Sequence, residues 1–136
     1  MTALTNYTEN NIINHIFRTG SFTKPSYLYV GLITAVPNAE AGSVTEISGG
    51  SYARVMRNPS DSNWDASTTT GTTANTATLQ FPAATADWGS CTHFGIWDSA
   101  TTGNLLIYAP LTVATTITNG TTPSFGAGAL TFQIDN

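Results

Sequence analysis

Few residues in this chain could carry acid–base or nucleophilic chemistry. It has two histidines, His15 and His93, and one cysteine, Cys91. A hydrolase needs a nucleophile, a base and a group that orients the base. No carboxylate stands at a spacing that would force it beside either histidine. We therefore predict structural histidines, no catalytic residues and no enzymatic activity, with a small hydrolase as the remote alternative.

The sequence also lacks the motifs of metal and cofactor sites. A single cysteine excludes an intrachain disulfide and a cysteine-based zinc site. The aspartates lie at loop and strand ends without the spacing of a calcium-binding loop. Gly49-Gly50 and 126–128 lack the lysine and the following helix of a phosphate-binding loop. We predict no metal and no cofactor, and we assign these glycines to turns.

The composition is poor in charge. Only 9% of the 136 residues are charged and the net charge is −4, against roughly 25% charged residues in an ordinary soluble domain. Four scattered basic residues argue against nucleic acid as a partner, and no basic amphipathic helix favours a membrane surface. A surface of hydroxyl and amide groups costs little to bury, so the composition favours contact with other subunits.

One helix is predicted, over residues 5–19, in a single domain that spans residues 1–136. Asn6 and Glu9 fit a capping box. The helix carries an apolar stripe at helical spacing, formed by Ile12, Ile13, Ile16 and Phe17. We expect this stripe to pack on the rest of the fold. The polar side, with Asn10 and Asn14, would then be free to meet neighbouring chains.

The remaining residues, 26–135, show the two-residue periodicity of short strands separated by turns. Predicted strands cover 26–34, 44–47, 52–56, 74–81, 92–98, 105–109, 112–118 and 129–134. This pattern predicts a mainly β fold, an antiparallel, jelly-roll-like β-sandwich with one N-terminal helix. The proposed core is Phe81, Phe94, Ile96 and Leu106.

Aromatic residues and one arginine are the candidates for contact with a neighbour. Large aromatic side chains act as core or interface anchors, and arginine is enriched at interfaces. The interface candidates are Trp64, Trp88, Trp97, Tyr52 and Arg54, together with Asn10 and Asn14. Trp64 lies in the longest predicted loop, 58–73, and is also the best candidate for stacking on a sugar.

Several motifs together resemble a family of small bacteriophage virion proteins often labelled tail fibre proteins. They are SGGSYARV (48–55), FPAATADWG (81–89), THFGIWD (92–98) and GNLLIYAPL (103–111). The opening segments LTNYTENNIINHIF and PSYLYVGLIT fit the same pattern. The similarity therefore extends over most of the chain.

This resemblance implies a structural role in the virion, after synthesis in the host cytoplasm. Because the chain is short and compact, it resembles most a capsid decoration (cement) protein. Such proteins sit on the outer head lattice as homotrimers and bind the major capsid protein. The alternative is a fibre or adhesion module at the tail, in contact with tail proteins and the host surface. In that version Trp64 would bind a glycan.

Overall fold

The computed structural model describes residues 3–134. The outermost residues of the predicted domain, 1, 2, 135 and 136, lie outside the described part, as does the last residue of the predicted sandwich. The helix α1 spans Asn6–Phe17, and a short 3-10 helix spans Ala39–Ala41. The strands are β1 (Ala3–Leu4), β2 (Tyr29–Asn38), β3 (Ser43–Glu46), β4 (Val55–Met56), β5 (Thr72–Ala74), β6 (Leu79–Gln80), β7 (Gly89–Trp97), β8 (Leu105–Ile117), β9 (Ser124–Phe125) and β10 (Thr131–Gln133).

A six-stranded antiparallel sheet is the centre of the fold. Its strand order is β1-β8-β7-β2-β3, and β4 also pairs with β2. The long strands β2 and β7 are rich in β-branched and aromatic residues, which favour a pleated surface. Their register places Val30 opposite Ile96 and Leu32 opposite Phe94. Side chains of one face therefore lie side by side across the central strands.

This sheet buries both of its faces, because its central strands carry apolar residues on alternate and intervening positions. The first face contributes Val30, Leu32, Phe94, Ile96 and Leu106 to the larger core. The second face carries a smaller core of Ile33, Trp97 and Leu105, with Val36, Val44 and Tyr108 packed against it.

Two short ribbons, β5–β10 and β6–β9, form the second layer over the first face. Phe132 and Phe125 from these ribbons meet Phe94 of the sheet, with ring centroids 5.4 and 5.6 Å apart. The predicted mainly β, antiparallel sandwich with one N-terminal helix is thus confirmed. All four proposed core residues, Phe81, Phe94, Ile96 and Leu106, are buried.

The strand β8 differs from the prediction, which divided it into two strands. It is continuous, but its pairing with β7 is interrupted by a long bulge. His93 of β7 pairs with Pro110, whereas Cys91, two residues earlier, pairs with Thr115. Residues 111–114, called here the β8 bulge, therefore stand opposite Thr92 alone. Proline supplies no N–H to the ladder, and it is found in sheets chiefly at edges and bulges. Pro110 marks the place where regular pairing stops.

Candidate assembly surface

The helix α1 begins differently from the prediction. Its N-cap is Thr5, and no side chain caps the helix. The predicted capping box of Asn6 and Glu9 is therefore wrong. The Thr5 hydroxyl instead donates to the carbonyl oxygen of Leu105 at 2.6 Å, while the Thr5 carbonyl accepts from the N–H of Glu9. The cap residue binds the sheet, so the start of the helix is fixed to β8.

A second threonine fixes the same side of α1. The buried hydroxyl of Thr8 donates to the carbonyl oxygen of Leu106 at 2.9 Å. The N–H of Thr5 donates to that same oxygen at 3.0 Å. The helix is thus attached to the sheet through hydroxyl groups near its start. The half-buried Ile12, four residues after Thr8, lies on the same side of the helix.

Three of the four apolar residues of the α1 stripe are exposed to water. Asn10, Ile13, Asn14 and Phe17 are spaced three or four residues apart, so they share one side of the helix. We call this set the outward face of α1. Ile13 is 54% exposed and Phe17 is 79% exposed, and Ile16, at the flank, is 64% exposed. The prediction that the stripe packs on the sandwich is therefore wrong for Ile13, Ile16 and Phe17. Of the stripe, only Ile12, four residues after the Thr8 anchor, is half-buried.

An apolar groove lies between the β8 bulge and the segment 121–125. Its volume is about 340 Å³. Most of its lining atoms are apolar, and none of its lining residues is charged: Leu32, Cys91, Leu111, Thr112, Val113, Thr115, Ile117, Thr121, Pro123, Ser124 and Phe125. Val113 stands at its rim and is 72% exposed. The groove is the second apolar surface that the described chain leaves uncovered.

Arg54, an interface candidate, is held inside the chain. Its guanidinium forms a two-bond ion pair with Glu46, at 2.8 and 2.7 Å, and lies 4.1 Å from the ring centre of Trp97. It also donates to the carbonyl oxygens of Ser99 and Thr102. Only 7% of the side chain is exposed. Arg54 thus fixes the β7–β8 loop to the sheet edge.

Tyr52 closes a gap at the edge of β2, between β3 and β4. Its hydroxyl accepts from the N–H of Leu32 at 2.8 Å and donates to Glu46 at 2.7 Å. Burial, with the Glu46 carboxylate second, raises the pKa of Tyr52 far above the ordinary tyrosine value. The phenol therefore keeps its proton and works as a link in the sheet edge.

The tryptophans also make internal contacts. Trp88 is buried, packs edge-on against Tyr52 at 5.3 Å and donates its indole N–H to the carbonyl of Gly50. Trp64 is half-buried and packs against Phe132 at 5.8 Å. Among the interface candidates, Asn10 and Asn14 are exposed, while the aromatic residues and Arg54 hold the fold together. A contact of any of them with a neighbour stays a prediction.

The groups considered for chemistry lie in separate environments. The N–H of Phe22 donates to Nδ1 of His15 at 3.2 Å, whereas Nδ1 of His93 is 2.8 Å from the Thr92 hydroxyl. Burial raises the pKa of the Cys91 thiol, which disfavours the reactive thiolate. Within residues 3–134, no group of three or more metal-ligating side chains could hold an ion. Across the same residues, every helix is too short or too polar to cross a bilayer.

Gly31, Gly95 and Glu46 have structural roles that were not predicted from the sequence, although the two glycines carried a signal. A β-carbon at Gly31 or Gly95 would lie within 2.8 Å of the Trp97 ring. A glycine inside a strand often marks such a close approach, so this pair indicated a large ring lying across the sheet. Glu46, the partner of Arg54, carried no comparable signal, because the contact joins the end of β3 to a residue outside the strands, eight positions later.

A charge-poor β fold that leaves an apolar helix face and an apolar groove uncovered is the arrangement expected of a subunit that works in an assembly. Residues 3–133 match the family model described as Podophage GP4 fiber I protein gp80. The chain belongs to this family, and it is a bacteriophage structural protein. The resemblance found in the sequence motifs is thereby confirmed for the phage virion family. The curated proteins compared with the chain gave no match.

Proposed function

We propose that this chain is a virion subunit that assembles as a homotrimer through the outward face of α1. The observation that carries the proposal is the exposure of Ile13, Ile16 and Phe17 on one short helix. Large exposed apolar patches mark interaction sites in soluble proteins. The outward face carries no charged residue, so identical copies can approach it without electrostatic repulsion.

We place the trimer in a fibre or at its attachment to the particle, in contact with other tail proteins. The family description, which names a fibre protein, supports this position. Decoration of the head, with the major capsid protein as partner, is the second candidate. It is favoured by the compact sandwich of the described residues, which shows one central sheet and not a row of repeated units.

The proposal assigns no catalytic role and no nucleic-acid or membrane partner. Two of the four basic residues are engaged within the chain: Arg54 binds Glu46, and Arg57 donates to the carbonyl of Ala77. It also assigns no glycan to Trp64, since that ring packs against Phe132. If Trp64→Ala lowered adsorption to host cells while the fold was preserved, the adhesion version would replace this part of the proposal.

The oligomeric state is tested by size-exclusion chromatography with light scattering. We expect three times the chain mass of 14.3 kDa for the wild type, and a monomer for the double variant Ile13→Ser, Phe17→Ser. Tyr27→Ser is the matched control, because Tyr27 is exposed but lies outside α1. A wild type that stays monomeric at every concentration, alone and with its virion partners, would overturn the trimer.

The position on the particle needs a separate experiment. An antibody against this chain, coupled to gold, is applied to intact phage and viewed by electron microscopy. Label at the tail supports the fibre role. Label spread over the head would replace it with decoration, and would leave the trimer proposal untouched.

A further inference from the structure

The described chain leaves two apolar surfaces uncovered, the outward face of α1 and the apolar groove beside the β8 bulge. Resting on the homotrimer proposed above, we infer that the end of α1 in one copy, with Ile16 and Phe17, seats in the apolar groove of the next copy. The contact is head to tail, so three copies close into a ring if each step turns by a third of a circle.

The end of α1 exposes apolar side chains that can enter a groove of another copy. Exposure rises along the helix, from 54% at Ile13 through 64% at Ile16 to 79% at Phe17. The threonine anchors hold only the start of the helix, at Leu105 and Leu106. All side chains of the last turn, residues 14–17, are exposed, so the turn offers apolar groups on more than one side.

The groove has the size and lining to receive these side chains. Its volume of about 340 Å³ is near the lower end of the roughly 300–1,000 Å³ typical of ligand pockets. Leu32, Leu111 and Phe125 provide aliphatic and aromatic walls. An aromatic ring that enters beside Phe125 can pack edge-on or offset, as aromatic pairs prefer.

A symmetric bundle of three α1 helices explains the exposed surfaces less well. Its 12 residues cover fewer than two heptads, whereas coiled coils repeat their apolar positions over about three or four heptads. A bundle would also leave the groove and Val113 in water. The head-to-tail contact covers both surfaces at every interface. The side chains of Ile16 and Phe17 and the groove lining are uncharged, so burying them against each other desolvates no charge of their own.

A disulfide crosslink between different copies tests the inference directly. One preparation carries Phe17→Cys, a second carries Val113→Cys, and the two are mixed, allowed to reassemble and oxidised with diamide. A disulfide requires two α-carbons within about 7 Å. We expect crosslinked dimers in the mixture and none in either preparation alone. Both preparations also carry Cys91→Ala, because Cys91 lines the groove and its thiol would otherwise react with the thiol introduced at position 17.

Crosslinks within the Phe17→Cys preparation, with none added by mixing, would show that helix meets helix and would overturn the inference. A second measurement separates this failure from that of the trimer. Val113→Asp should convert the trimer to a monomer, while Thr116→Asp, exposed on the same strand but outside the groove lining, should not. A trimer that survives Val113→Asp, with circular dichroism unchanged, refutes the groove and leaves the proposed function standing.

Discussion

The core around Trp97 and the outward face of α1 both carry large apolar side chains, yet the first is buried within the fold and the second is exposed. Trp97 is buried between the sheet glycines and the Arg54 guanidinium, which is itself paired with Glu46. Ile13 and Phe17 have no comparable cover from the residues that the structure describes. Folding alone buries the apolar side chains of the first region, whereas those of the second remain exposed to water.

This difference shows that a periodic apolar pattern in the sequence identifies a face that will be buried. The pattern does not show whether the same chain or another copy buries it. In the sheet, the covering groups come from adjacent strands, so folding alone supplies them. In α1, the orientation is decided by two hydroxyl groups near the helix start. A stripe that looks suited to the core is then turned outward.

We expect the largest effect on stability from a substitution in the core around Trp97. Trp97→Ala removes the ring that fills the space over Gly31 and Gly95, and we expect it to lower the free energy of unfolding by about 3–5 kcal/mol. Phe17→Ala, the matched truncation in α1, should change the stability of the monomer by less than about 0.5 kcal/mol. Urea unfolding at a concentration where the chain is monomeric measures both. Equal losses in the two variants would erase the comparison.

The ion pair beneath Trp97 comes next. Glu46→Ala leaves the guanidinium of Arg54, whose side chain is only 7% exposed, without its carboxylate. We expect the free energy of unfolding to fall by about 3 kcal/mol, the lower end for breaking a buried pair, since Glu46 is partly exposed. Glu40→Ala, an exposed carboxylate on the 3-10 helix, is the control and should unfold as the wild type does. If Glu46→Ala left the free energy of unfolding unchanged, the loop carbonyls alone would be sufficient hydrogen-bond partners for Arg54.

The hydroxyl of Tyr52 should have a smaller, pH-dependent effect. Tyr52→Phe leaves the N–H of Leu32 without its acceptor, and we expect a loss of about 2 kcal/mol at pH 7. Because the folded chain raises the pKa of Tyr52, the stabilisation from its neutral phenol is complete below about pH 10, the unfolded value, and declines above it. The gap between wild type and variant should therefore narrow above pH 10. A gap that widens there contradicts the assignment, and Tyr27→Phe controls for the general effect of losing a phenol.

The attachment of α1 provides the finest test. Thr8→Val keeps the shape of the side chain but removes its bond to Leu106, whose carbonyl still accepts from Thr5. We expect a loss of about 1 kcal/mol, together with faster amide exchange in α1. Ile16→Val, a conservative change at an exposed position near the end of the helix, should alter neither. Unchanged exchange in Thr8→Val would show that the hydroxyl does not hold the helix.

Much of the sandwich could be predicted from the sequence because the residues of one sheet face recur at every second position along a strand. Phe94 and Ile96 stand two residues apart on β7, and both belong to the core of the first face. The two-residue period carries that information locally. The division of β8 into two strands was wrong because Pro110 interrupts the ladder without ending the strand.

The candidate surface could be predicted only in part. The apolar residues of α1 were identified from their spacing, but their direction depends on Thr5 and Thr8 reaching carbonyls about 100 positions away in the chain. No local pattern contains such a contact. Asn10 and Asn14 were expected to face outward and are exposed, although they share their side of the helix with Ile13 and Phe17.

The β8 bulge has a consequence for aggregation. Among the described residues, β1 covers the outer edge of β8 only at Ile107 and Tyr108. An open strand edge is a template on which foreign strands can add and fibrils can grow. Residues 111–114 break this edge, since a bulge bends the strand and interrupts its row of donors and acceptors. The bulge therefore disfavours edge-to-edge addition of further chains along β8.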